Sequence, residues 1–353
     1  MYTLLVHHNG GGGVSQYIQT RLNGKTIECF TTARQFWLVW NNRKKEIYSS
    51  IYALMNRLKK LTIKKIELHH LWGFSLGDMK LLLRTLDCPY TVYLHDFFGV
   101  CPNVFFINHK QRYCEMEKDS SVCEGCVTET ANRPILIKAG GASFTVDKWR
   151  NFYYTLYKEA AAIVAPSVST KEMYLAYFPD IHITVTPHSL SHLKQSVIRK
   201  HNQQNHKELR LGFLGNVFLH KGEVVVAQLL DHLEQAPLPL ALYSYGDLAL
   251  TLKQRRKIVE RGPYNGDNLE EMLRKDQIDV ICIPSVVPET FSFTTHEAMT
   301  LGYPVLTFNL GAQAEAVKTM GRGWLVDEIS GVALYDQLKK QCLSKEELNS
   351  YEE

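Results

Sequence analysis

The sequence predicts an α/β protein of two domains with parallel strands, and three observations carry that expectation. Short apolar runs rich in β-branched residues, such as Asp279-Val-Ile-Cys-Ile283, alternate with segments of helix length, the pattern of buried parallel strands joined through helices. At 353 residues the chain is long enough for two such domains, each with its own core. From Ser191 to Glu208 it turns polar, with little apolar periodicity, which marks a linker between a domain over 1–190 and another over 209–353.

Composition excludes several classes. A hydrophobic content of 45% with 22% charged residues is that of a soluble globular protein. The net charge of +4 is too mild to argue for nucleic acid. No run of eighteen apolar residues appears, and Met1 to Val6 reads as a strand rather than a signal peptide, so a cytoplasmic protein is expected.

In chain order, the strand Tyr2 to His8 runs straight into Asn9-Gly10-Gly-Gly-Gly13 and a helix from Val14. Glycines between a strand and a helix let the backbone approach a ligand, though a plain turn uses them too. No Gly-Lys-Ser/Thr follows, so this is no Walker loop. Arg43 to Lys65 carries eight basic residues against the single acid Glu46, with Ile47, Ile51, Leu54, Leu58 and Leu61 at helical spacing. That predicts one amphipathic helix whose basic face is either ordinary surface or a contact for an anionic membrane. His69 and His70 end the next strand. Adjacent strand residues point to opposite faces, so the two cannot easily share a metal ion. A helix near Leu76 to Leu86 and the strand Tyr90 to Leu94 then lead to His95, at a strand's carboxyl end, where cleft and structural roles both fit.

Cys101, Cys114, Cys123 and Cys126 lie within 26 residues and include the knuckle spacing Cys123-Glu-Gly-Cys126. Four thiolates at such spacing suit a structural zinc site, with free or redox-active thiols and an iron–sulfur cluster as alternatives. Helices Trp149 to Ala161 and Ser169 to Phe178 flank the strand Ala162 to Ala165, and Ile181 to Thr186 closes the domain.

The second domain opens with the strand Leu209 to Leu214, then Gly215-Asn216 and Lys221-Gly222. A lysine after a glycine-containing loop can hold a diphosphate as a point charge beside helix amides, though it also reads as a solvated side chain. After the strand Asp279 to Ile283 comes a loop, then a helix over Thr290 to Leu301 closed by Gly302 and Pro304. Glu289 precedes that helix and Glu297 lies within it, about 12 Å apart if both were helical. Two carboxylates so separated suit hydroxyl groups at two ends of an extended ligand. Taken alone, the pair reads equally as a cap and a solvated face residue.

The stretch Glu289 to Glu297, with Phe291-Ser292 inside it and Gly302-Tyr-Pro-Val305 after it, resembles the Glu-x7-Glu signature of retaining GT-B glycosyltransferases of family 4. The resemblance extends to the glycine loop, His95, Lys221 and Gly311-Ala-Gln-Ala-Glu315. The pattern His-Asp-Phe-Phe-x-x-Cys-Pro, with the Cys pair that follows, is similar to a subgroup building bacterial surface polysaccharides. It implies a GT-B fold, two doubly wound, Rossmann-like domains facing a cleft, with the nucleotide sugar held mainly by the second. It also implies that Glu289 orients the donor hexose, Glu297 holds the ribose, and amides from Thr290 to Ser292 meet the distal phosphate. Lys221 would take the diphosphate, Gly215 and Asn216 would flank it, Tyr264 would face the base, and Gly12 and Gly13 would lie near donor and acceptor. His95 would point at the reacting sugar. Asn216 stands where the family usually has an arginine, which removes one cation.

The activity implied is hexosyl transfer, with retention, from a UDP-, GDP- or dTDP-sugar to a glycan or lipid-linked acceptor, without an obligatory catalytic metal and at the cytoplasmic side of a membrane. The competing readings are a non-catalytic module of a polysaccharide assembly complex and a nucleotide-sugar epimerase. The helix around Val332 to Cys342 is expected to end the chain early for this fold, as in one module of a longer enzyme.

Overall fold

The computed structural model describes residues 1–32, 35–41, 43–130, 133–190 and 207–350; most of the expected linker, 191–206, lies outside the described residues. The chain divides into two compact units, Met1–His188 and Ser189–Glu353.

The first unit holds strands β1 (Tyr2–Val6), β2 (Thr26–Thr32), β3 (Gln35–Trp40), β4 (Lys45–Tyr48), β5 (Ile63–Leu68), β6 (Tyr90–Tyr93), β7 (Ala162–Ala165) and β8 (Thr184–Val185). Its helices are α1 (Gly12–Arg21), α2 (Ile51–Leu58), α3 (Leu76–Leu86), α4 (Ser120–Glu129), α5 (Arg133–Gly140), α6 (Val146–Glu159) and α7 (Val168–Leu175). The sheet order is β4-β3-β2-β1-β5-β6-β7-β8. All pairings are parallel except β2 with β3 and β3 with β4. The strand order reverses direction between β1 and β5, so the carboxyl ends of those two strands face a switch-point crevice.

Helix starts follow local chemistry. Ser50, Ser75, Thr145 and Ser167 each accept a hydrogen bond from an amide of the first turn of α2, α3, α6 and α7. Each satisfies a backbone donor that the helix cannot. The apolar faces behind these caps, with Leu54, Met79, Trp149 and Leu156 among them, are buried in one core with the sheet.

The stretch from Arg43 to Lys65 is not the single amphipathic helix its spacing predicts. Lys45 to Tyr48 pairs antiparallel with β3, and α2 begins only after Ser50. Ile47 therefore lies on an edge strand and is 49% exposed rather than buried. Part of the basic face is neutralised as well, since Arg57 Nε and Lys44 Nζ lie 2.7 and 2.9 Å from Glu46.

The second unit holds β9 (Leu209–Leu214), β10 (Leu240–Tyr245), β11 (Val259–Glu260), β12 (Val280–Ile283), β13 (Val305–Phe308) and β14 (Gly323–Val326). Its helices are α8 (Glu223–Gln235), α9 (Leu252–Arg255), α10 (Leu269–Lys275), α11 (Phe293–Thr300), α12 (Gly311–Met320) and α13 (Gly331–Ser350). The order β11-β10-β9-β12-β13-β14 is wholly parallel and reverses between β9 and β12. That is the doubly wound dinucleotide-fold order, with its ligand crevice at the carboxyl ends of β9 and β12. The helix expected over Val332 to Cys342 runs on to Ser350, and it begins against α8, where Gly331 N donates to Gln228 Oε1 at 3.1 Å.

All eight cysteines are unbridged thiols. Cys29 in β2 and Cys282 in β12 are fully buried, one in each sheet.

Candidate functional site

In the second unit the site grows from the turns after β9 and β12. Gly215 (φ 87°) turns the chain out of β9, and Asn216 Oδ1 accepts from Asp247 N at 2.9 Å, which ties this turn to the one after β10. A single helical turn, Leu219–Lys221, ends at Gly222 with φ 95°. A Cβ at Gly222 would lie 2.1 Å from Pro284 O, so only glycine lets this turn close on the loop after β12. Ser285 Oγ donates to His220 O and Val286 N donates to the same oxygen, at 3.3 and 3.2 Å.

That closure brings Lys221 Nζ to 2.7 Å from Glu289 Oε1. Burial alone would push the Glu289 carboxyl up, but the Lys221 charge and hydrogen bond, with the nearby Ser292 and Ser285 hydroxyls, carry it below the ordinary carboxylate range. His220 is pushed down to about 4, first by burial and then by Lys221, and so is neutral. Gln313, fully buried in α12, clamps the loop: its Oε1 accepts from Glu289 N at 3.0 Å and its Nε2 donates to Val287 O at 2.9 Å. Ala312 N donates to Glu289 O at 2.9 Å.

Helix α11 begins unusually. Ser292 stands at φ 62°, ψ 74° and provides no side-chain cap; its hydroxyl pairs with Thr295 Oγ1 at 2.7 Å instead. Thr290 precedes it, and Phe291 is buried with its ring stacked on His296 at 4.1 Å. Glu297, 4% exposed, accepts from Tyr264 Oη at 2.5 Å. The structure thus brings Lys221 together with Glu289 ahead of α11, and Tyr264 with Glu297, which lies within it. Glu289 lies ahead of that helix, not on it.

Sequence reading missed His220, Ser285 and Gln313. Gln313 lies inside the quoted stretch Gly311 to Glu315, and its signal was an uncharged polar residue among small helical neighbours.

In the first unit the carboxyl ends of β1, β5 and β6 gather histidines. His69 N and His70 N both donate to Val6 O, at 2.8 and 3.4 Å. Their rings diverge, as strand geometry requires: His69 Nδ1 lies 3.0 Å from His95 Nε2, and His70 Nε2 lies 2.8 Å from Asp96 Oδ2. Tyr17 of α1 packs on His69, His95 and His188, with centroids 5.6, 4.9 and 4.6 Å away. His95 is held well below its ordinary value by burial and then by its histidine neighbours, His69 first. Gly11 and Gly12, with φ 76° and 72°, open α1, and Gly12 and Gly13 are exposed there.

Cys101, Cys114, Cys123 and Cys126, the four expected ligands, share one neighbourhood, close enough for their thiols to act on one another electrostatically. Cys123 and Cys126 lie one turn apart on α4, where Cys123 Sγ faces Arg150 Nη2 at 3.2 Å and Cys126 Sγ faces Asn103 Nδ2 at 3.4 Å. Among the described residues no group of three or more His, Cys, Asp or Glu is placed to hold a metal ion. Burial pushes the Cys101, Cys123 and Cys126 thiols up.

Residues 194–353 match the family described as Glycosyl transferases group 1. The chain is 30% identical over 131 residues to an uncharacterized glycosyltransferase of Methanocaldococcus jannaschii, a match spanning 35% of this chain and 31% of that protein's length. Sucrose-phosphate synthase from Thermosynechococcus elongatus has a similar structure, with a TM-score of 0.61 at 14% identity over 98% of this chain and 90% of that one. Anabaena HepE in complex with UDP-glucose gives 0.61 at 15% identity, over 98% and 91%. Likeness at that identity shows the fold, which is GT-B, across nearly the whole chain.

Proposed function

We propose, for a GT-B chain whose second half is of the glycosyl transferases group 1 type, that it transfers a hexosyl group from a nucleotide-diphosphate sugar to a hydroxyl of a glycan or lipid-linked acceptor, with retention. The observation that carries this reading is the Lys221–Glu289 contact at the β9/β12 switch point, beside a helix that opens without a side-chain cap. A diphosphate leaving group gathers negative charge as its bond to the sugar breaks. A lysine and helix amides already turned toward that position stabilise it without reorganising.

Glu289 accepts hydrogen bonds from hexose hydroxyls while holding Lys221. Glu297, with Tyr264 on its carboxylate, offers the acceptor atoms for ribose hydroxyls. HepE is a relative in fold whose structure holds UDP-glucose, which supports a UDP-sugar as the first donor to try. Glycosyltransferases of this group generally act without a catalytic metal ion, and the cation in this site is Lys221. His95, in the first unit, is the residue that faces the reacting sugar and the acceptor. The assembly-module reading has one observation in its favour: Asn216, where the family's arginine would supply a second cation, is engaged with Asp247 N.

Release of nucleoside diphosphate from UDP-, GDP- and dTDP-sugars tests the proposal. One donor should turn over, and Lys221→Ala or Glu289→Ala should each reduce turnover about 100-fold or more. A wild-type protein that binds nucleotide but turns over none of the donors would leave the assembly-module reading standing.

A lipid-linked acceptor would place the first unit near an anionic surface in the role of a peripheral protein. No helix among the described residues is long and apolar enough to cross a membrane. Exposed Lys59, Lys60 and Lys64, close in sequence to the 67% exposed Tyr52, support surface docking. Each basic side chain adds about 1 kcal/mol there. Vesicles containing anionic lipid should therefore retain the protein at low salt, and Lys59→Glu with Lys60→Glu should release it. Equal retention on neutral vesicles would remove the membrane from the proposal.

A further inference from the structure

We propose that Glu67 and His69 are positioning residues for His95, joined to it in a buried chain that dictates which ring nitrogen of His95 carries its proton. The inference rests on the reading of His95 as the residue facing the reacting sugar. The chain runs across two hydrogen-bonded neighbours of the sheet, β5 and β6. Glu67 lies in β5 and is 2% exposed; His69 follows that strand and is 3% exposed. Glu67 Oε2 is 3.5 Å from His69 Nε2, and His69 Nδ1 is 3.0 Å from His95 Nε2.

The proton order follows from charge. Burial pushes the Glu67 carboxyl up, but His69, Arg21 and Lys65 together carry it well down, so it is an anion. Arg21 Nη2 and Lys65 Nζ approach its Oε1 at 2.6 and 3.1 Å, which leaves Oε2 toward Arg21 Nε and His69. At 3.5 Å the Glu67–His69 contact is long for a hydrogen bond, yet it still selects the tautomer. A lone pair on Nε2 would face a carboxylate in a buried site, whereas an N–H there is attracted to it. His69, held neutral, then has a lone pair on Nδ1, and His95 Nε2 must donate to it. His95 is thereby set as the Nε2–H tautomer, with Nδ1 an acceptor of a hydroxyl proton rather than a donor.

Groups around this chain include Tyr17 and Arg21 of α1, Lys65 of β5, Tyr93 of β6, and His7, His8, His70 and His188. Glu67 is the carboxylate that His69 meets, and through that contact it sets the polarity of the chain. Arg21 and Lys65 account for the charge of Glu67 as a structural residue would require; they do not account for a histidine between it and His95.

The test is the tautomer of His95 in the full-length protein, read by nitrogen–proton correlation of histidine side chains at neutral pH, with His95→Gln identifying the signals. The wild type should show a single Nε2–H form. Glu67→Gln should mix the two tautomers and lower kcat about tenfold with little change in donor KM. His69→Asn, whose side-chain oxygen can still accept from His95, should keep the Nε2–H form and most of the turnover, and His69→Leu should lose both. If Glu67→Gln does not fold, the His69 pair reads the same chain. An Nδ1–H form in the wild type, or an unchanged tautomer in both Glu67→Gln and His69→Leu, overturns the proposal. The tautomer needs no donor to be present, so a protein that turns over nothing yet shows this pattern overturns the transferase reading and supports the chain.

Discussion

Burial of imidazole rings sets how this protein answers acid. His69 has its pKa pushed down to about 4 by burial, against 6.5 for a free ring. Between those values the unfolded chain binds a proton that the folded chain refuses, so stability is full above 6.5 and falls as pH drops toward 4. At pH 5 that is about 2 kcal/mol for His69, from 1.4 kcal/mol per unit. Glu67 works in a lower window, because its depressed carboxyl loses stability only once pH falls below the ordinary carboxylate range. Urea midpoints at pH 7.5 and pH 5 should therefore differ less in His69→Leu than in the wild type. Parallel shifts in the two proteins would mean that His69 already charges in the fold. The contacts of His69 were not legible from the chain, where His69 and His70 were readable as strand-end residues, one of them facing the cleft. The contact to His95 spans 26 positions and depends on β5 and β6 being neighbours.

The elements show why some segments read correctly and one did not. The expected span Leu76 to Leu86 is α3 to the residue, because Ser75 caps it and Asp87, in the left-handed region, stops it. Leu209 to Leu214 is likewise the strand expected. Over Arg43 to Lys65 the helical period held for Ile51, Leu54 and Leu58, which α2 buries, while Ile47 fitted it by coincidence, since a four-residue strand offers only two positions of alternation to contradict it. Ser50 was the available signal, a cap in the middle of the supposed helix. The spacing Cys123-Glu-Gly-Cys126 is also one helical turn, and α4 uses it as such. In the turns after β9 and β12, geometry makes a sharper statement than spacing. Gly222→Ala would force both a left-handed alanine and a displaced Pro284, and it should cost about 1–3 kcal/mol. Gly262→Ala also needs a left-handed alanine, but nothing lies within 4 Å of its Cβ. The first variant should melt lower and raise donor KM, while the second should alter the melting temperature slightly and KM not at all. Equal KM values for both would detach the Lys221 turn from donor binding.

At the scale of the whole chain, two sheets were foreseeable from strand-and-helix alternation and length, and His95 as a cleft candidate from its strand-end position, but not the link from Glu67 through His69 to His95. With donor binding assigned to the second unit, a nucleoside diphosphate at a hundredfold excess over its Kd should stabilise that unit by about 2.7 kcal/mol. In hydrogen exchange the protection should fall on Gly215–Gly222 and Ser285–Thr300 and spare the first sheet. Protection confined to the first unit would reverse the assignment. The two fully buried thiols make the same question answerable without exchange. Burial pushes the Cys29 thiol up to about 12 and raises that of Cys282 as well, so neither reacts with an alkylating reagent while its own sheet is closed. Each becomes reactive only when the strand around it opens. The native chain thus carries an internal clock in each half, and the masses of two peptides after timed alkylation give the opening rate of either sheet with no probe introduced.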